Sequence, residues 1–371
     1  MSNIYDKYTK VVEAEFPRWN VNSTIPTGVT LSVVFDHYRL ARSRVNREKI
    51  QLNLYFLSGT GMPKAIWRYY IRNLFELSES PEFSSTVGWQ IANCIAVDAV
   101  NHGESAVEND GKLGWELDWR EGSHDLLQVA RSLRLPGENV IVGHSMGGFQ
   151  ALYTTTIAPL LFKFALAIEP VTHNTAARSE AFMTNMLSSL NIAIRSEFKN
   201  EEEYYTFFKE KSFYKNFHPQ ILNDFVEAEK VVNRDGTVSA KTSKEQQLLC
   251  YLAGGKIFPL GLGVLKSVPV PVIFVAAGSG TWLELSAVEE AKKAIKDIEF
   301  ISVPGAQHLM NGEQPDDILK ILVDGLKKHI GTSSTAIKEK VYISKEEYDG
   351  IFKENYAKLE RDYFTRKANK L

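Results

Sequence analysis

Five residues restrict the fold of this chain more than any others. Gly143-His144-Ser145-Met146-Gly147 follows the apolar run Val140-Ile141-Val142 and precedes a helix-forming run, Phe149-Gln150-Ala151-Leu152-Tyr153. A buried strand that becomes a helix within so few residues needs small side chains on both sides of the turn, because the helix start is pressed against the strand end. Gly143 and Gly147 supply them, and Gly148 lets the helix pack closely. Ser145 is then held out at the tip, above a helix N-terminus, as in a nucleophile elbow. A chance Gly-x-Ser-x-Gly in a loop would carry neither the strand nor the helix.

The same alternation runs through much of the chain. Residues 31–38, 50–57, 91–97, 164–168, 272–276 and 300–303 read as strands, and residues 65–76 and 115–133 have helical spacing. Short apolar strands alternating with helices predict an α/β fold, a mostly parallel sheet with helices on both faces. Residues 1–170 and 267–331 are expected to form this core, with 1–28 as an N-terminal arm that shows little periodicity. Residues 171–266 break the alternation, are mainly helical, and are expected to form a lid over the strand ends. Tyr204, Tyr205, Phe207, Phe208, Phe213, Tyr214 and Phe217 crowd one stretch of it. Most of these should pack the lid onto the core, and those left facing the serine suit an acyl substrate. Residues 332–371 read as a C-terminal helical extension.

Ligands of parallel sheets bind at the carboxyl ends of the strands, and every chemical candidate follows such an end. A serine hydroxyl is a weak nucleophile until a base takes its proton. His308, in Pro304-Gly305-Ala306-Gln307-His308-Leu309, follows the last core strand and can return an imidazole to the elbow. A carboxylate must then fix the imidazole and stabilise its cation. The loop Gly278-Ser279-Gly280-Thr281-Trp282-Leu283-Glu284 has no acid where one is expected. Glu169, at the end of the next strand after the elbow strand, is the favoured seat, with Glu284 as the alternative. Two aimed N–H groups are needed for the developing oxyanion. Met146 is expected to give one, and Thr60 or Gly61, in Ser58-Gly59-Thr60-Gly61-Met62-Pro63, the other. His144, His102 and Asp98 are expected to line the pocket or brace its loops. No metal or other cofactor is expected.

The formal net charge of −2 gives no reason to expect nucleic acid as a partner. Two cysteines, Cys94 and Cys250, form no ligand cluster and suit a reducing compartment. No secretory h-region is read at the N-terminus. No uninterrupted apolar run reaches the roughly 18 residues of a spanning helix, so no transmembrane segment is expected. The chain ends Asn369-Lys370-Leu371, close to the small-basic-leucine tripeptide bound by the peroxisomal import receptor, with Asn in place of Ser.

With these residues in place the chain resembles the α/β-hydrolase superfamily. Within it, the chain resembles the family of the yeast peroxisomal lipase and related fungal peroxisomal serine hydrolases. The likeness rests on Gly59-Thr60-Gly61-Met62, on Asn101-His102-Gly103-Glu104-Ser105-Ala106-Val107, on Gly143 to Leu152, on Ile168-Glu169-Pro170-Val171 and on the terminal Lys-Leu. It implies an α/β-hydrolase fold and a serine hydrolase of the peroxisomal matrix acting on acyl esters. Relatives with the acid in this seat include acyl-CoA thioesterases, so a thioesterase is the second reading. A catalytically silent fold that binds lipid or a protein partner is the third. One departure stands out: Ser58 occupies a position where the family usually has a histidine that braces the oxyanion loop.

Overall fold

The computed structural model describes residues 3–173, 180–278, 283–331 and 344–368. The strands are β1 (Tyr5–Glu13), β2 (Ser32–Leu40), β3 (Ile50–Leu57), β4 (Trp89–Val97), β5 (Glu138–His144), β6 (Ala165–Ile168), β7 (Glu197–Phe198), β8 (Lys230–Val232), β9 (Val238–Ala240), β10 (Val272–Ala277) and β11 (Ile298–Val303). One sheet has the order β1-β2-β4-β3-β5-β6-β10-β11. From β4 to β11 every neighbouring pair is parallel, while β2 runs antiparallel to both β1 and β4.

Burial on both faces of the sheet is visible in the second half of β3, Leu54-Tyr55-Phe56-Leu57. Leu54 and Phe56 enter the apolar cluster on one face of the sheet, with Trp67 and Phe164. Tyr55 and Leu57 enter the cluster on the other, with Phe149 and Phe274. A strand buried on both faces has no polar side to alternate with. The chain passes from β3 outward to β4 and then back across β3 to β5. The loops after β3 and β5 therefore diverge from a common crevice, the position where open α/β sheets bind ligands.

The N-terminal arm differs from expectation. Its residues Tyr5 to Glu13 form the edge strand β1, paired with β2 over its whole length. Most of β1 is exposed, so it carries no core-facing stripe that periodicity could reveal. Its lysines, Lys7 and Lys10, keep an open sheet edge from recruiting other strands.

Between β6 and β10 the described residues hold the helices Glu180–Ala193, Glu201–Thr206, Pro219–Glu229 and Lys244–Ser267. They also hold a small antiparallel sheet of order β7-β9-β8, which the sequence pattern did not suggest because strands of two or three residues are too short to alternate. The helix Lys244–Ser267 bears on the expectation of no spanning segment. By length and composition it is apolar enough to cross a membrane, with a mean hydropathy of 1.7 over an 18-residue window. Glycines and Lys256 interrupt its apolar runs, so no single run in it is long. In this fold Cys250, Ala253, Ile257 and Leu265 are buried in the core cluster, and the Trp119 indole N–H donates to the Cys250 carbonyl across 2.9 Å.

Residues 334–371 form a separate unit, in which the helix Lys345–Ala368 is described. Asn369, Lys370 and Leu371 lie outside the described residues.

Candidate active site

Ser145 joins β5 to the helix Met146–Ile157 with φ 54° and ψ −116°, a conformation that costs a non-glycine residue free energy and that the surrounding packing must hold. A Cβ on Gly143 would overlap the Gly147 carbonyl, and one on Gly147 would overlap the Leu57 carbonyl. The two glycines are thus required by close approach of backbone to backbone.

Three side chains meet in line at this turn. The Ser145 hydroxyl donates to His308 Nε2 across 3.0 Å. His308 Nδ1 donates to Glu169 Oε2 across 3.2 Å, the tautomer that a carboxylate at Nδ1 selects. Glu169 is itself held rigidly. Its own N–H donates to the Val275 carbonyl at 2.7 Å, and its Oε1 accepts the Ala277 N–H at 2.5 Å. Glu169 belongs to the end of β6, but both anchors lie on β10. Its carboxylate therefore occupies the end of β10, where the following loop offers no acid. Glu284 begins the helix Leu285–Ala294 and its charge acts on His173; residues 279–282 of its loop lie outside the described residues.

His144 is buried, and its Nε2–H donates to the His308 carbonyl across 2.8 Å. Burial, with His308 adding to it, drives its pKa down to about 3. It is a neutral donor that fixes the backbone carrying His308.

The bend after β3 is a type II turn. The Met62 N–H donates to the Gly59 carbonyl at 3.2 Å, and Gly61 at its third position has φ 77°, which favours glycine. Thr60 and Gly61 were equivalent candidates by sequence; here they part. The Gly61 N–H donates to His102 Nε2 across 2.8 Å and is not aimed at the serine. The Thr60 and Met146 amides have no acceptor among the described residues, and the Thr60 hydroxyl points at the Met146 sulfur, 3.7 Å away.

His102 is neutral as well. Its Nδ1 bonds Asn101 Oδ1 at 2.8 Å, and burial lowers its pKa to about 4. Asp98 is buried and accepts from Lys64 Nζ at 2.8 Å, from the Lys64 N–H at 2.6 Å and from the Glu104 N–H at 3.0 Å. It ties the loop after β3 to the loop after β4. Ser58, where the resemblance implied a histidine, accepts the Trp67 indole N–H at 3.0 Å. Tyr214, in the sequence only one aromatic of the crowded stretch, has a further role: its hydroxyl donates to the Gly61 carbonyl across 2.9 Å. Nothing local distinguishes Tyr214 from the aromatics around it. Among the described residues no group of three metal-ligating side chains occurs.

Residues 54–321 match the alpha/beta hydrolase family. The chain belongs to that family. It is similar to the peroxisomal membrane protein LPX1 of Saccharomyces cerevisiae, 31% identical over 350 residues that cover 88% of this chain and 87% of the yeast protein. The solved structure of that peroxisomal alpha-beta-hydrolase superposes with a TM-score of 0.82 at 30% identity, covering 97% of this hydrolase and 99% of the yeast chain. A stretch of 115 residues, 30% of this hydrolase, is 28% identical to a type I acyl-CoA thioesterase of Penicillium roqueforti, of which it covers 25%. A thermophilic esterase from Thermogutta terrifontis shares the fold, with a TM-score of 0.55 at 14% identity over 86% of this hydrolase and 99% of the esterase.

Proposed function

We propose that this hydrolase cleaves acyl esters of lipid character in peroxisomes, through an acyl-enzyme formed on Ser145. The observation that carries this reading is the unbroken line of hydrogen bonds from Glu169 through His308 to Ser145. His308 takes the hydroxyl proton as Ser145 Oγ bonds to the ester carbonyl carbon. The carbonyl electrons move onto oxygen, which the Thr60 and Met146 amides stabilise. His308 then returns the proton to the departing alkoxide, and water repeats the cycle in reverse to free the acid. Glu169 holds the imidazole tautomer and stabilises its cation. The residues between β6 and β10 act as a cap whose aromatics favour an acyl chain over a polar group. The peroxisomal relative and the terminal Asn369-Lys370-Leu371 support the location.

The likeness to a thioesterase favours one alternative, acyl-CoA cleavage with the same residues. Both are tested with a chain-length series of p-nitrophenyl esters beside the matching acyl-CoAs, on wild type and Ser145→Ala. Ester turnover lost in the variant, with little acyl-CoA cleavage, is expected. Preferred acyl-CoA cleavage would make the enzyme a thioesterase, and no Ser145-dependent turnover on either series would favour the silent, binding role.

A further inference from the structure

Gly61 is the softest point of the turn that carries the Thr60 amide, since glycine accepts positive and negative φ almost equally. Turning the Thr60–Gly61 peptide over would convert a type II turn into type I, reversing the Thr60 carbonyl and the Gly61 N–H; the Thr60 N–H, one peptide earlier, moves only as the bend that carries it shifts. Two hydrogen bonds hold the bend in place, from opposite sides: the first opposes the flip and the second fixes where the bend sits. His102 Nε2 accepts the Gly61 N–H at 2.8 Å and fixes the peptide before Gly61. The Tyr214 hydroxyl donates to the Gly61 carbonyl at 2.9 Å and fixes the peptide after it. A Cβ on Gly61 would collide with the Tyr214 hydroxyl and the Gln247 side-chain oxygen, so the contact is a close fit. Tyr214 comes from the segment between β6 and β10. The loop that presents His102 is held by that segment too. Asn101 Nδ2 donates to the Gln246 carbonyl at 3.2 Å, and the Gly103 N–H donates to Thr242 Oγ1 at 2.9 Å.

We propose that Tyr214 is a positioning residue for the oxyanion hole: seated on the core, the segment between β6 and β10 clamps Gly61 against His102 and so aims the Thr60 amide at the reacting carbonyl. This rests on the serine-hydrolase reading. Because the oxyanion exists only in the tetrahedral species, the clamp acts on the transition state and leaves ground-state binding alone. A hydroxyl that merely satisfied a buried carbonyl would affect stability without that selectivity.

The test is Tyr214→Phe, which removes one hydroxyl, compared with Tyr205→Phe. Tyr205 lies in the same segment and bonds Glu227 and Lys230 instead. Each is assayed for kcat and KM on a p-nitrophenyl ester and for the Kd of an alkylboronic acid, which adds to Ser145 and places an oxygen in the hole. For Tyr214→Phe, kcat is expected to fall about 10- to 100-fold, as for a misplaced catalytic group. KM should stay unchanged and the boronate Kd should weaken by the same factor. Tyr205→Phe should match wild type. His102→Asn, too short to reach the Gly61 N–H, should repeat the Tyr214→Phe signature, and it decides the matter if Tyr214→Phe folds poorly. Wild-type kcat and boronate affinity in folded Tyr214→Phe would overturn the inference while leaving the hydrolase reading intact. If wild type itself shows no Ser145-dependent turnover or boronate binding, the hydrolase reading fails and the inference falls with it.

Discussion

Glu229 gives a quantitative test of how the segment between β6 and β10 is held. It ends the helix Pro219–Glu229 with its carboxylate buried, accepting the Thr242 N–H at 2.9 Å and the Thr242 hydroxyl at 3.2 Å. Burial raises its pKa to about 7, with the Asp98 charge acting in the same direction and the Thr242 hydrogen bonds and Lys241 opposing. In an unfolded chain the same group ionises near 4.5. Between those values the folded protein binds more protons than the unfolded one, so stability falls as pH rises. The contribution is fully present below the unfolded pKa and is lost as pH rises through the folded one. At 1.36 kcal/mol per pKa unit the gap corresponds to about 3 kcal/mol, most of it lost between pH 5 and pH 8. Glu229→Gln keeps the shape and an acceptor for the Thr242 N–H but does not ionise. It should lie within about 1 kcal/mol of wild type at pH 5 and be about 2 to 3 kcal/mol more stable at pH 8. The assay is urea unfolding of both proteins at half-unit pH steps. Stability curves that run parallel from pH 5 to 8 would refute the argument, because the native carboxyl would then titrate like an unfolded one.

The remaining predictions concern the chemistry and the address. Glu169→Gln should lower kcat by about 10³- to 10⁴-fold with the fold intact, whereas Glu284→Gln should leave it near wild type; the opposite ranking in steady-state assays would move the acid to Glu284. Deleting Lys370 and Leu371 from a fluorescent fusion should turn punctate peroxisomal signal diffuse, and unchanged puncta would eliminate the C-terminal signal. If the helix Lys244–Ser267 stays packed on the core, alkaline carbonate should release the protein from peroxisomal membranes; retention in the pellet would mean that the helix leaves the core and inserts.

What could be read from the sequence follows from how local each cause is. The inner strands β5 and β10 were legible because burial on both faces writes a short apolar run into the chain, and β3 because its first half alternates apolar and polar residues. The elbow was legible because its backbone crowding is settled by Gly143 and Gly147, next to Ser145. Edge strand β1 was not, since a mostly exposed strand needs no apolar face, and β7, β8 and β9 are too short for any period. The spanning length of Lys244–Ser267 leaves no unbroken run in the chain, because glycines and Lys256 divide its apolar residues. At the site the same distinction holds. Glu169 could be put forward because the loop after β10 lacks an acid at the expected place, a gap visible in the chain itself. Its attachment to β10 through the Ala277 amide is tertiary and leaves no mark on the residues around 169. Thr60 and Gly61 could not be separated because the direction of a peptide N–H depends on what accepts it, and the acceptor, His102, lies 41 residues away. Tyr214 is the extreme case, bonded across 153 residues to a carbonyl that any buried tyrosine might have met. The residues proposed to do chemistry are constrained by their own turns and are readable. Those that aim them are chosen by partners elsewhere in the chain. Substitutions at such aiming positions should therefore change rate while leaving every sequence motif intact.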